Sequence, residues 1–228
     1  AKQGPGGLPI TNEVSENYNT ILYLAESAAE EGVMWVGTDD GRLQITRDNG
    51  ATWQDVTPRG VDDGMFNAIE ISPHNPAVAY LAYTRYKYSD RAPYIYQTRN
   101  YGRTWSRIDD GLPEMAFVRA VREDTEREGL LFAGTEQGVF FSTDGGGDWL
   151  ALDLNLPVVP ITDLRVQGRD LVVATQGRAF WVLDDISPLR QLSRRIETAD
   201  AHLFAPETAY RFEIGGGNGG EGANPPAG

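Results

Sequence analysis

The sequence predicts an all-β protein of about four repeated four-stranded antiparallel sheets, and three observations carry that prediction. An octet is written three times, as TRDNGATW (Thr46 to Trp53), TRNYGRTW (Thr98 to Trp105) and STDGGGDW (Ser142 to Trp149). A short apolar segment precedes each octet and occurs a fourth time: VMWVGT (Val33 to Thr38), VAYLAYT (Val78 to Thr84), LLFAGT (Leu130 to Thr135) and LVVAT (Leu171 to Thr175). From Gly37 to Ala82, Gly134 and Ala174 these segments step by 45, 52 and 40 residues, the spacing of repeats that each fold into one blade of a β-propeller.

Each repeat reads as strands A to D. In the first, NTILYLAES, VMWVGT and RLQIT precede the octet, RLQIT alternating apolar and polar residues, and TWQDV follows the octet's turn. The second repeat gives NAIEIS, VAYLAYT, YIYQT and TWSRI; the third gives VRAVRED, LLFAGT, VFFST and DWLAL. The fourth has ITDLRV, LVVAT and AFWVLDD, but Asp184 and Asp185 lead into ISPLRQL where an octet would stand, which marks a degenerate terminal repeat. The predicted boundaries are residues 19–58, 59–110, 111–154 and 155–192 for the four blades, with 1–18 a crossover from a preceding blade. Residues 193–214 read as an extended strap anchored by Phe204, Tyr210 and Phe212, and 215–228 as a Gly-rich linker toward a further domain.

The octet combines a turn with a packing residue. RDNGA reverses the chain between two strands: Asp48 accepts backbone N–H groups, Gly50 takes a positive φ that a β-carbon would penalise, and the hydroxyls of Thr46 and Thr52 serve the same turn. Trp53 then buries a large ring beside it, a contact whose truncation typically costs ~3 to 5 kcal/mol. The second copy supplies Thr98, Asn100, Gly102, Thr104 and Trp105. The third supplies Ser142, Asp144, Gly146 and Trp149, with Asp148 in place of the second threonine. Asp48, Asn100 and Asp144 therefore read as turn acceptors.

With these octets and the flanking VGTDDGRLQITRDNGATW and LVVATQGRAFWVLDDISPLRQL, the chain resembles Asp-box (BNR-repeat) propellers of the bacterial sortilin-like, VPS10-type and glycosyl-hydrolase-like kind, over about residues 8 to 212. The resemblance implies an extracellular or periplasmic protein with further blades and a following β domain, this chain being a C-terminal part of the propeller. It speaks for fold and poorly for activity, because sialidases, xyloglucanases, sortilins and photosystem assembly factors all carry the octet. A sialidase-type site would hold three arginines and a tyrosine, and no such set is assignable here.

Composition removes several functions. A net charge of −13 disfavours nucleic-acid phosphates and anionic membranes as partners, and no apolar run reaches the roughly 18 residues of a membrane helix. With Cys 0, disulfides, zinc-thiolate sites and cysteine nucleophiles are impossible. His74 and His202 lack ligand spacing and no acidic loop has a calcium pattern, so no metal is expected; no phosphate-cradling loop exists, so no cofactor is expected. The opening AKQGPGG, with neither Met nor leader, reads as part of a longer chain. Four blades do not close a ring, so the remaining blades are expected partners.

Function is sought on the rim opposite the octets, formed by the B–C turns. TDDG (Thr38 to Gly41) and TEQG (Thr135 to Gly138) offer Asp39, Asp40 and Glu136, a carboxylate set of the kind glycoside hydrolysis uses, although Asp-Gly pairs are also ordinary hairpin turns. The second repeat has a longer insert there: Ala82 to Asn100 spans 18 residues against 11 from Gly37 to Asp48. Its Arg85, Tyr86, Lys87, Tyr88 and Arg91, with Arg178 of the fourth repeat, present stacking faces and cations to a protein, peptide or glycan, or else pack on the neighbouring blade. A non-catalytic binding or scaffold module is favoured, with a glycoside hydrolase as the alternative.

Overall fold

The computed structural model describes residues 20–193, 196 and 198–206; the expected crossover, the linker, Tyr210 and Phe212 lie outside them. Among the described residues fifteen strands form four sheets. Blade 1 is β1 (Ile21–Glu26), β2 (Met34–Thr38), β3 (Leu43–Thr46) and β4 (Gln54–Asp55); blade 2 is β5 (Met65–Ile71), β6 (Ala79–Thr84), β7 (Ile95–Thr98) and β8 (Ser106–Arg107). Blade 3 is β9 (Val118–Glu123), β10 (Leu131–Thr135), β11 (Gly138–Ser142) and β12 (Leu150–Ala151); blade 4 is β13 (Ile161–Gln167), β14 (Asp170–Thr175) and β15 (Phe180–Leu183). All pairings are antiparallel between consecutive strands. The chain is therefore an all-β stack of propeller blades.

The fourth blade departs from the other three. It has three strands, and a short helix, α1 (Ser187–Gln191), follows them where the octet and a fourth strand would lie. The helix is pinned from both sides: Ile186 is fully buried, and the Arg190 guanidinium donates to the buried Asp124 carboxylate at 2.9 and 2.8 Å. Arg127 of blade 3 donates to the Leu189 carbonyl at 2.6 Å. Pro188 lies in the first turn of α1, where its missing N–H costs nothing. Of the strap, Gln191 bonds both backbone groups of Ala205, yet Leu203 is exposed and Phe204 only half-buried, so the expected anchoring at Phe204 is partial.

The core lies between blades, in three layers. Val33, Trp35, Leu43 and Ile45 of blade 1 meet Phe66, Ile69, Leu81 and Tyr83 of blade 2. Val78, Tyr80 and Ala82, from the other face of blade 2, meet Val121, Leu131 and Ala133 of blade 3. Leu130 and Phe132 then meet Ile161, Leu164 and Val173 of blade 4. Side chains alternate across a strand, so β6 and β10 each supply both neighbouring blades and are buried throughout. That is why such segments stand out as apolar runs in the sequence.

At the inner edge one side chain connects all four blades. Arg122 of β9 donates to the Leu164 carbonyl and the Asp163 carboxylate of blade 4 at 2.8 and 2.6 Å, and to the Tyr23 hydroxyl of blade 1 at 3.2 Å. Its other terminal nitrogen lies 3.7 Å from Glu70 of blade 2. Burial pushes the Glu70 carboxyl up to about 7 in spite of Arg122.

Candidate ligand-binding site

The octets form the turns into the outer strands. In the first, the Thr52 backbone N–H and the Thr46 hydroxyl each donate to Asp48 Oδ1 at 2.8 Å, and the Thr52 hydroxyl donates to Oδ2. These bonds, led by the Thr52 hydroxyl, hold the Asp48 carboxyl down to about 2. Asn100 accepts from Thr104 N–H at 2.9 Å, and Asp144 from Gly147 N–H at 2.9 Å. Asp148, in the third copy, accepts from Trp149 N–H.

The three tryptophans differ. Trp105 donates its indole N–H to the Val56 carbonyl of blade 1 at 2.8 Å, and Trp149 donates to the Ile108 carbonyl of blade 2 at 2.6 Å. Trp53 is 41% exposed, a correction to the expected buried ring. The indole packs on the preceding blade, not on its own turn, and nothing described precedes blade 1.

On the opposite rim the candidate carboxylates are engaged separately. Asp39 Oδ1 accepts the Thr20 N–H at 2.8 Å, and Asp40 accepts the Thr38 hydroxyl within its own turn. Glu136 accepts Arg119 Nε at 2.6 Å, and Arg119 lies over the Phe117 ring at 5.1 Å. Each belongs to a local structural network of its own blade.

The insert is folded down rather than held out. Tyr86–Tyr88 make a 3₁₀ turn, and Ser89 closes it with φ 63°. Arg85 is clamped by Asp90 at 2.8 Å and Asp62 at 3.3 Å, donates to the Asp63 carbonyl at 3.1 Å, and sits over the Tyr88 ring at 5.9 Å. Tyr86 stacks on Phe117 of the next blade with centroids 5.2 Å apart. Lys87 is exposed, and Arg91 edges a shallow hollow with Asp109, Asp110 and Glu114. Arg178 is exposed in the fourth blade's turn, where its carbonyl accepts the Trp181 indole. Of the expected ligand set, only Arg85 borders the groove between blades 1 and 2.

That groove, about 880 Å³, runs between blades 1 and 2 and was not foreseen from sequence. Arg59, Arg85, Arg103 and Arg107 line it, with Tyr96 and Trp105. Arg107 is paired with Asp109 and stacked on Tyr94 at 4.7 Å. Arg59 and Arg103 are exposed, and among the described residues no hydrogen bond or ion pair engages either guanidinium. The two reach the groove from separate blades and from exposed turns without periodicity; their only shared sequence signal is a basic residue in an acidic chain. Two unpaired guanidiniums in a groove also lined by Trp105 and Tyr96 suit a carboxylate-bearing chain, because guanidinium binds carboxylate through paired N–H donors and rings take its apolar parts.

No protein-family model and no curated protein matches the sequence. Solved structures do match in fold. The structure described as YCF48 bound to D1 peptide superposes with a TM-score of 0.55 at 22% identity, over 73% of this chain and 52% of that one. The GH74 xyloglucanase from Xanthomonas campestris gives 0.57 at 18% identity, over 74% of this chain and 29% of the enzyme. The computationally designed Ika4 protein gives 0.52 at 12% identity, over 75% of this chain and 94% of that one. This chain thus spans about half of the first of these proteins and under a third of the second. At such identities the likeness shows the fold alone.

Proposed function

We propose that this chain is a non-catalytic propeller module that binds a carboxylate-bearing protein or peptide segment, or an acidic glycan, in the groove between blades 1 and 2. The observation that carries the reading is the pair of unengaged guanidiniums, Arg59 and Arg103, beside Trp105 and Tyr96 in a protein whose net charge is −13. The rim carboxylates support it from the other side, since Asp39, Asp40 and Glu136 each serve a turn or an ion pair. Neighbours in fold include a peptide-bound protein and a xyloglucanase, so the scaffold accommodates either role. An extracellular or periplasmic setting is part of the proposal and rests on the resemblance of the octets.

Intrinsic tryptophan fluorescence tests it, with Trp105 as reporter. Acidic peptides and uronic-acid oligosaccharides are titrated against neutral counterparts, with wild type and an Arg59→Gln, Arg103→Gln variant. Saturable binding of an acidic probe, weakened about tenfold or more in the variant, supports the reading; equal binding of neutral and acidic probes refutes it. Turnover of a polysaccharide that is lost in an Asp39→Asn, Asp40→Asn, Glu136→Gln variant would replace it with the hydrolase alternative.

A further inference from the structure

We infer that Leu22, Asn67, Arg119 and Thr162, one side chain from the first strand of each blade, form with Tyr86 a second binding site, separate from the groove between blades 1 and 2, which takes a single uncharged sugar ring. Each of the four strands carries a β-bulge at the same place. Ile21 pairs with Thr38 and Tyr23 with Gly37, so Leu22 is the extra residue; Asn67 is extra between Phe66 and Ala68, Arg119 between Val118 and Ala120, and Thr162 between Ile161 and Asp163. A bulge takes its residue out of the ladder and re-aims the side chain. Four such bulges bring four side chains, far apart in sequence, to one hollow of about 190 Å³, whose fifth lining residue is Tyr86 of the insert.

The residue ahead of each bulge serves the core. Phe66, Val118 and Ile161 each fill a joint between blades and are fully buried. The bulged position itself keeps no common chemistry, being apolar, amide, cationic and hydroxyl in the four repeats, whereas the position before it is apolar in all of them. It is the place in each repeat where the side chain is open to choice.

The lining sets the chemistry of the ligand. Asn67 donates Nδ2 to the Thr84 hydroxyl at 3.1 Å, leaving Oδ1 as an acceptor, and Arg119 donates Nε to Glu136 at 2.6 Å, leaving its terminal N–H groups as donors. Thr162 is exposed and Tyr86 is 40% exposed, and each hydroxyl both donates and accepts. Leu22, 46% exposed, supplies an apolar wall. Because Glu136 balances Arg119, the lining has no net charge to favour a carboxylate or an ammonium. A neutral ring with hydroxyls on its edge and C–H groups on its faces meets donors, acceptors and apolar wall together. The volume lies below the roughly 300–1,000 Å³ of sites for drug-sized ligands, which leaves room for one ring and not for a chain.

The test titrates methyl glycosides of glucose, galactose, mannose and xylose into wild-type protein with isotope-labelled leucine methyl groups, beside methyl β-glucuronide and cyclohexanol as charged and hydroxyl-poor controls. At least one neutral glycoside is expected to shift the Leu22 methyl signals saturably, with affinity about tenfold lower in an Asn67→Ala, Thr162→Val variant. A tetrasaccharide of the same sugar that also shifts them identifies the end ring of a glycan as the source; one that does not identifies a free sugar. No saturable Leu22 shift from any of the four glycosides, an equal response to cyclohexanol, or tighter binding of the glucuronide overturns the inference. The wild-type titration decides it even if the variant fails to fold, and since Leu22 does not line the groove between blades 1 and 2, the outcome is independent of binding there.

Discussion

Asp48 and Glu70 show how two carboxyls of one molecule give pH responses of opposite sign. Asp48 is held to about 2 by hydrogen bonds led by the Thr52 hydroxyl, so its contribution is present above the ordinary aspartate range and disappears as pH falls from about 4 toward 2. Asp48→Asn retains an acceptor, as Asn100 does naturally, and is expected to flatten thermal melts between pH 4 and 2. Glu70 is pushed up to about 7 by burial, so the folded state binds the extra proton: stability is highest below about pH 4.5 and is lost as pH rises through 7. The groups facing it are Arg122, Tyr23, Asp163 and the Glu123 carboxyl and N–H. Glu70→Gln is expected to remove that decline; melts of wild type and variant from pH 4.5 to 8 that run parallel would refute the assignment.

Among the elements, the octet and the second strand of each repeat were legible because an apolar run recurs with the blade, buried on both sides in β6 and β10. Trp53 was misread because its octet is equivalent to the other copies, and the sequence of a repeat does not say whether its neighbour is present. Helix α1 was not foreseen: five residues carry too little periodicity to register, and what fixes them is the distant ion pair of Arg190 with Asp124. Removing that partner leaves a fully buried carboxylate uncompensated, so Arg190→Ala is expected to cost about 3 to 5 kcal/mol in denaturant unfolding, with Arg190→Lys intermediate. The octet tryptophans are expected to rank likewise. Trp149→Ala loses a buried ring and is expected to cost about 3 to 5 kcal/mol, while Trp53→Ala in the 228-residue chain costs markedly less. Equal losses would mean that the ring braces its own turn and not the joint.

For the whole molecule, the groove was illegible because its parts come from two blades: Arg59 follows the outer strand of the first, and Arg103 sits in the octet of the second. Nothing local in either segment signals the other, and only the packing of blade 2 on blade 1 brings them to one groove. Its charge runs against the remainder of the protein, so affinity for an acidic probe is expected to weaken as salt rises from 50 to 500 mM, with Arg59→Gln, Arg103→Gln abolishing most of that slope. A salt-independent affinity would indicate that ring contacts dominate.

Arg122 carries one more implication. A guanidinium that reaches from the third blade to the first gathers a tyrosine and two acids about it, so its loss would strand the acids and release contacts to three other sheets together.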